Sequence, residues 1–275
     1  MGACLAWLIG QALLFTPAAQ AQQRSFQYFT QAQGLGNLVV NTLAQDRRGF
    51  LWVGTENGAY RFDGGSFVGF GDKEGLLSQT INVLHVDAGD RVWAGTDAEL
   101  YVRQEGRFVP VRMDGRPLPV LIGDSILSSP DGGVIAVSRG RLIAITPGEA
   151  GWSARPFFTA GQIEAQPALK EVHGAFVGRG GVLWLACRNA LCRVDGERIQ
   201  VRPLPTGDVD GAFASVLEDS HGSVWVRSND RLLQLRPGTE TFVQHAVPGR
   251  ADVVGTARPL AEDALGRILT FSGYG

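Results

Sequence analysis

One short phrase recurs along this chain at a nearly constant spacing, and it constrains the fold more than any other feature. In each copy an apolar residue is followed by Trp or by a second apolar residue, and a polar turn precedes the pair. The six pairs are separated by 41, 42, 49, 41 and 44 residues: Leu51-Trp52, Val92-Trp93, Val134-Ile135, Leu183-Trp184, Val224-Trp225 and Ile268-Leu269. A repeat of about 40 residues is typical of radial β architecture, in which one small sheet cannot bury both of its faces alone.

Each copy contains the pattern of four short strands. In the first copy the apolar-biased runs 39–45, 50–55, 59–62 and 66–70 are separated by turns rich in Gly, Asn and Asp, residues that tolerate turn backbones. The run 50–55 is apolar at successive positions, as expected for a strand between neighbouring sheets. We therefore predict an all-β fold, a β-propeller of four-stranded antiparallel blades. The sequence supplies about five complete blades plus a partial sixth, so the ring is incomplete.

The first two copies resemble a known repeat family. Residues 46–64 carry the pattern Asp-x-x-Gly-x-Leu-Trp-Val-Gly-Thr-x-x-Gly-x-x-Arg-Phe-Asp-Gly, and residues 75–80 are similar to the segment that opens a repeat. Both features resemble the two-component regulator propeller repeat. That resemblance extends over residues 26–275 and implies the periplasmic sensor part of a hybrid histidine kinase or a diguanylate cyclase.

The output machinery of such receptors has no counterpart in the sequence, which contains neither a kinase His-box nor a Gly-Gly-Asp-Glu-Phe motif. Because the sixth copy stops at Gly275, soon after its Ile268-Leu269 pair, we expect these 275 residues to be the N-terminal part of a longer chain. The output domain and the membrane attachment would then lie in the missing C-terminal part.

The N-terminus has the pattern of a secretory signal. Residues 4–15 are apolar, and residues 17–21 end in the small-x-small pattern of a cleavage site. This predicts a signal peptide over residues 1–21, a β-propeller domain over residues 22–275 and a periplasmic location. A positive n-region is missing, because no Lys or Arg precedes Arg24. A short membrane anchor is the alternative, but the apolar run is shorter than the roughly 20 residues that a span needs.

Charge and cysteine content narrow the classes of partner. The net charge of −2 gives no electrostatic basis for binding nucleic acid or an anionic membrane. Cys187 and Cys192 flank one tight turn, so they form either a disulfide or two small buried thiols. A metal site is disfavoured because two Cys without a nearby His do not complete four ligands. We expect no metal and no cofactor.

Geometry predicts where a ligand would bind. In a propeller, the loops between the second and third strands gather at one end with the linkers between blades. The candidate ligand-binding residues on these loops are Glu56, Asn57, Asp97, Glu99, Arg139, Arg188, Asn189, Asn229, Asp230 and Arg231. Their amide, acid and guanidinium groups suit a small polar ligand such as a saccharide. The alternative is that these residues are ordinary polar hairpin tips with no binding role. Residues 152–172 predict an extra loop or short helix beside this end.

Catalytic patterns are scarce. The four His residues are far apart, and no pair of carboxylates recurs on the loops to provide acid-base chemistry. We therefore predict a non-enzymatic, exported ligand-sensing or interaction module, the input portion of a signalling receptor. The alternatives are a propeller-type polysaccharide lyase or hydrolase, and a purely structural envelope propeller.

Overall fold

The structure is a series of antiparallel sheets whose strands are hydrogen-bonded in chain order. It is a computed structural model that describes residues 27–123, 125–149, 151–205, 215–228, 231–247 and 259–270. The predicted signal peptide, residues 1–21, lies outside the described residues. No helix in the described ranges is long and apolar enough to cross a bilayer.

Five sheets are complete blades, and their strands follow one another as meanders. Blade 1 consists of β1 (Val40–Gln45), β2 (Leu51–Thr55), β3 (Gly58–Phe62) and β4 (Phe67–Phe70). Blade 2 consists of β5 (Ile81–Val86), β6 (Val92–Thr96), β7 (Leu100–Gln104), β8 (Arg107–Met113) and the short β9 (Arg116–Pro117). Blade 3 consists of β10 (Ile126–Ser128), β11 (Val134–Ser138), β12 (Arg141–Gly148) and β13 (Gly151–Pro156).

Blade 4 consists of β14 (Gly174–Val177), β15 (Leu183–Cys187), β16 (Ala190–Asp195) and β17 (Arg198–Pro203). Blade 5 consists of β18 (Ser215–Glu218), β19 (Val224–Arg227), β20 (Leu232–Leu235) and β21 (Phe242–His245). A sixth sheet is described for two strands, β22 (Leu260–Glu262) and β23 (Ile268–Thr270). The first strands of successive blades contact one another, so they are the innermost strands. This architecture confirms the predicted β-propeller.

The repeated Trp is buried between adjacent blades. Trp52 and Trp93 have no solvent exposure, and Trp225 is 9% exposed. Trp52 clusters with Ile81 of blade 2. Of the four Trp residues at the repeat position, only Trp184 is half-buried. The Trp therefore supplies inter-blade packing rather than a stacking surface for a ligand.

The Gly after each of the first two Trp residues allows the next blade to approach. A Cβ built on Gly54 would lie 2.7 Å from the side chain of Ile81, the first residue of β5. A Cβ on Gly95 would lie 2.6 Å from the Cβ of Val120, in the linker that follows blade 2. Any larger residue would push these segments apart, which explains the Gly-Thr dipeptide of the repeat.

An Asp six residues before the Trp stabilises the turn between the first two strands. Asp46 accepts hydrogen bonds from the backbone N–H of Arg48 and Phe50 through one oxygen, at 3.1 and 3.0 Å. Its other oxygen accepts the indole N–H of Trp52 at 3.0 Å. Asp87 and Asp219 bind Trp93 and Trp225 in the same way, at 2.8 and 2.7 Å.

Blade 4 lacks this Asp, and the neighbouring blade replaces it. Gly178 stands at the equivalent position, and Glu218 of blade 5 accepts the indole N–H of Trp184 at 2.8 Å. Glu218 also accepts the backbone N–H of Arg179 at 3.2 Å. Blades 4 and 5 are therefore joined by a carboxylate that blades 1, 2 and 5 each supply from within.

The extra sequence between blades 3 and 4 forms a compact insertion. The fourth strand of blade 3 accounts for residues 152–156, where the sequence analysis expected a loop or helix. Helix α1 (Ala160–Ala165) and a 3₁₀ turn (Pro167–Lys170) follow. Thr159 and Gln162 form a capping box at the start of α1. Leu169 anchors the insertion, because it is 1% exposed within the cluster that joins blades 3 and 4.

Cys187 and Cys192 lie diagonally across a hairpin. Cys187 pairs with Ala190 and Cys192 with Leu185, so both side chains are on one face of the sheet. The structure joins them in a disulfide with Cα atoms 6.1 Å apart. This is one of the two alternatives that the sequence left open.

Candidate functional site

The linkers between blades are hydrogen-bonded to the loops between second and third strands, which places both at the same end. Each bond joins a backbone N–H to a carbonyl within 3.0 Å. The pairs are Gly58 with Gln79, Val120 with Thr96, Val172 with Gly140, and Leu204 with Asn189. We call this the loop end, and the opposite end, with the Asp turns, the turn end. The geometry expected from the sequence is therefore present.

The predicted residues on blade 1 and blade 2 differ in exposure. Glu56, Asn57 and Asp97 are exposed at the loop end, and Asp97 accepts a hydrogen bond from the hydroxyl of Ser78 at 2.9 Å. Glu99 is buried instead, and its carboxylate lies 2.6 Å from the guanidinium of Arg112. This internal ion pair argues against a direct ligand contact by Glu99.

A phenol completes the internal role of Glu99. The hydroxyl of Tyr101 donates to the Glu99 carboxylate at 3.3 Å. Burial, and after it the Glu99 charge, raises the pKa of Tyr101 above its ordinary value. The hydroxyl therefore remains a donor at physiological pH, and Glu99 and Tyr101 stabilise the loop rather than contact a ligand.

The predicted residues on blades 3 to 5 do not form one cluster around a common partner. Arg188 pairs with Glu171 of the insertion at 3.2 Å, and Arg231 donates to the carbonyl of Pro205 at 3.0 Å. Arg139 is exposed with a left-handed backbone, φ 51°. Asn189 is exposed, and its carbonyl accepts the N–H of Leu204. Asn229 and Asp230 lie outside the described residues.

A groove at the loop end brings Asn57 together with linker residues that were not among the candidate ligand-binding residues. Its volume is about 330 Å³, and it is open to solvent. The lining residues are Asn57, Gly58, Gly71, Asp72, Lys73, Glu74, Leu76, Ser78 and Gln79. The 3₁₀ turn Asp72–Glu74 ends at Gly75, which has φ +95° and so requires a residue without a side chain. The repeat-opening pattern at residues 75–80 was the sequence signal for this linker.

The chemistry of the groove suits hydroxyl recognition. Lys73 makes no hydrogen bond or ion pair with any described residue, so its ammonium is available as a donor. The Asp72 carboxylate and the Asn57 amide are exposed beside it, while the buried Leu76 provides an apolar floor. Charged and amide groups around an apolar floor can hold a small polar ligand in one orientation.

The histidines are engaged in separate places. His85 contacts the hydroxyl of Ser128 at 3.0 Å, and burial lowers its pKa below 6.5. His173 contacts Glu171 at 3.1 Å, and His245 contacts Gln234 at 3.0 Å. In the part of the chain that is described, no group of three His, Cys, Asp or Glu residues is placed to hold a metal ion. Of these histidine contacts, only the His173–Glu171 pair lies at the loop end, and Arg188 shares the Glu171 carboxylate.

Comparison with known proteins supports the fold. Residues 34–57 match the sequence profile of the family described as "Two component regulator propeller". No curated protein matches the chain. The matched segment includes β1 and β2 and reaches Asn57.

Solved structures resemble this chain over 85 to 88% of its length. The extracellular domain of the putative hybrid two component system BT4673 from B. thetaiotaomicron superposes with a TM-score of 0.65 at 19% identity, covering 86% of this chain and 31% of that chain. The extracellular domain of BT3049 from the same organism gives 0.54 at 15% identity, with coverages of 88% and 39%. Virginiamycin B lyase from Staphylococcus aureus gives 0.58 at 11% identity, with coverages of 85% and 84%.

At these identities the likeness shows a shared β-propeller fold. The chain spans about a third of the length of the first relative, BT4673. The class of protein is therefore a repeat propeller that resembles the two-component regulator group.

Proposed function

We propose that this chain is an exported ligand-sensing or interaction propeller, the N-terminal input portion of a bacterial signal-transduction receptor. The observation that carries the proposal is the likeness, over 86% of the chain, to the extracellular domain of a hybrid two component system. The recognised repeat at residues 34–57 supports the same assignment. In this proposal a histidine kinase or diguanylate cyclase follows in the same longer chain, with the membrane attachment between them, and the propeller is periplasmic.

The groove at the loop end is the proposed ligand site. Its unpaired Lys73 and exposed Asn57 and Asp72 would hydrogen-bond the hydroxyl groups of a small polar ligand such as a saccharide. Nucleic acid is excluded from the proposal because the net charge is −2 and the groove combines both signs of charge. No cofactor is invoked.

A binding screen tests this site. Thermal unfolding of the purified chain is measured with a panel of oligosaccharides, and then repeated with Lys73→Ala and Asn57→Ala. Glu197→Ala is the matched control, because Glu197 is an exposed residue between β16 and β17 at the turn end. We expect at least one saccharide to raise Tm in the wild type and the control but not in the groove variants. A shift that survives both groove substitutions would assign the ligand to another surface.

The enzymatic alternative has a structural parallel in the lyase fold, but the lining of the groove at the loop end contains no histidine. The four described histidines contact Ser, Glu and Gln side chains: His85 with Ser128, His173 with Glu171, His221 with Ser220 and His245 with Gln234. We therefore propose a non-catalytic role. Prolonged incubation with polysaccharides that releases unsaturated sugars, detected by ultraviolet absorbance, would overturn this proposal.

A further inference from the structure

A second cavity lies away from the groove, where the insertion packs against blades 2 and 3. Its volume is about 150 Å³. The lining residues are Met113, Arg141, Leu142, Ile143, Pro156, Phe158, Ile163 and Leu169. They come from β8, β12, β13, α1 and the 3₁₀ turn after it, and Phe158 lies between β13 and α1. The cavity therefore exists only because the insertion lengthens one repeat.

The walls of this cavity are apolar and held in place by packing. Leu142, Phe158 and Leu169 belong to the cluster that joins blades 3 and 4, whereas Ile143 belongs to the cluster of blades 2 and 3. Ile163, on helix α1, covers one side and is half-buried. An apolar cavity of about 150 Å³ lined by Leu, Ile and Phe is large enough to hold benzene.

One charged group borders the apolar cavity. Arg141 is exposed, and its guanidinium makes no hydrogen bond or ion pair with any described residue. Every other lining residue is uncharged. A free guanidinium recognises a carboxylate through two parallel hydrogen bonds, and Arg keeps its charge under all ordinary conditions.

We propose that this cavity is a binding site for a small monocyclic aromatic carboxylate, whose ring fills the apolar pocket while its carboxylate pairs with Arg141. Phe158 and Met113 favour a ring because aromatic and thioether groups make specific contacts with ring edges and faces. The site is separate from the groove at the loop end. The proposal for this cavity therefore does not depend on whether the groove binds a saccharide.

The test uses benzoate and its uncharged analogue benzamide with the full chain. Binding is measured by ligand-observed NMR titration for the wild type, Arg141→Gln, Ile163→Trp and Arg155→Gln. Arg155 is the matched control, since it is an exposed Arg on β13 that does not line the cavity. Arg141→Gln removes a surface charge without changing the packing, so this variant keeps its fold even if Ile163→Trp does not.

We expect benzoate to bind the wild type and the Arg155→Gln control about tenfold more tightly than benzamide, the ratio for one charged hydrogen-bonded pair. Arg141→Gln should reduce that ratio to near one. A folded Ile163→Trp variant should bind neither compound because the indole occupies the ring site. Equal binding of both compounds to the wild type, equal losses in the two Arg variants, or no binding at millimolar concentration would each overturn the proposal.

Discussion

The carboxylate that binds the Trp184 indole comes from Glu218 of the neighbouring blade. We therefore expect Gly178→Asp, which places a carboxylate within blade 4, to destabilise the wild type but to stabilise a variant that lacks Glu218. A Cβ built on Gly178 would overlap with the Glu218 carboxylate and would lie 2.9 Å from the Trp184 indole nitrogen. There is therefore room for one carboxylate only. The φ of −85° at Gly178 is accessible to any residue, so backbone strain does not oppose a substitution there.

The loss of unfolding free energy expected for Glu218→Ala follows from the hydrogen bonds that Glu218 accepts. Glu218→Ala leaves the indole N–H of Trp184 and the backbone N–H of Arg179 without their acceptor. Because Trp184 is only half-buried, the free energy of unfolding should fall by about 1 to 2 kcal/mol. The ion pair of Glu218 with the mostly exposed Arg179, at 3.9 Å, adds little. For a domain of this size the loss corresponds to a decrease in Tm of about 2 to 8 °C.

The change of sign is tested by introducing Gly178→Asp into the wild type and into the Glu218→Ala variant. In the wild type it should destabilise, because the new carboxylate overlaps with Glu218 and repels its charge. In Glu218→Ala it should recover about 1 kcal/mol, because the half-buried Trp184 indole shifts to admit the new Cβ and Asp then occupies the position that Asp46, Asp87 and Asp219 hold in their blades.

Urea unfolding of the four proteins, followed by tryptophan fluorescence, measures this double-mutant cycle. Glu197→Ala is the control, because Glu197 is exposed and makes no described contact with either residue. If Gly178→Asp has the same effect with and without Glu218, the carboxylate is not shared between blades and the reasoning fails.

Two further predictions concern redox state and acid stability. Because Cys187 and Cys192 form a disulfide, neither should react with a thiol label in exported protein until a reductant is added. Cys187→Ser should lower the free energy of unfolding by about 2 kcal/mol, the chain-entropy value for so short a loop. Free thiols in the unreduced protein would contradict the pairing. Burial alone would raise the pKa of Asp87 and Asp219, but hydrogen bonds from Trp93 and Trp225 and from the turn outweigh it and lower both pKa values below 3.8. Their contribution to stability is therefore complete above about pH 4 and is lost as pH falls through the lowered pKa. Thermal unfolding between neutral pH and pH 3 should show this loss, and Asp219→Asn should make the acid slope shallower; an unchanged slope would show that the turn carboxylate does not carry it.

The sequence by itself determined the blade architecture, because each strand's neighbours in the propeller are close along the chain. The periodic Trp, the Gly-Thr that follows it and the turn residues all act within one copy or between adjacent copies. For the same reason the grouping of linkers with the loops between second and third strands followed from strand order alone. Asn57 and Asp97 are exposed there as expected.

Only the tertiary structure decided which polar side chains are exposed and which are buried in contact with a partner. Glu99 has the same local pattern as an exposed loop acid, but Arg112 on another strand of the same blade neutralises it. Gly178 looks like an ordinary turn glycine until Glu218, 40 residues later, is seen in the space beside it. The insertion cavity likewise depends on packing between segments of two blades. Burial and pairing are set by side chains distant in sequence, and a local pattern carries no information about them.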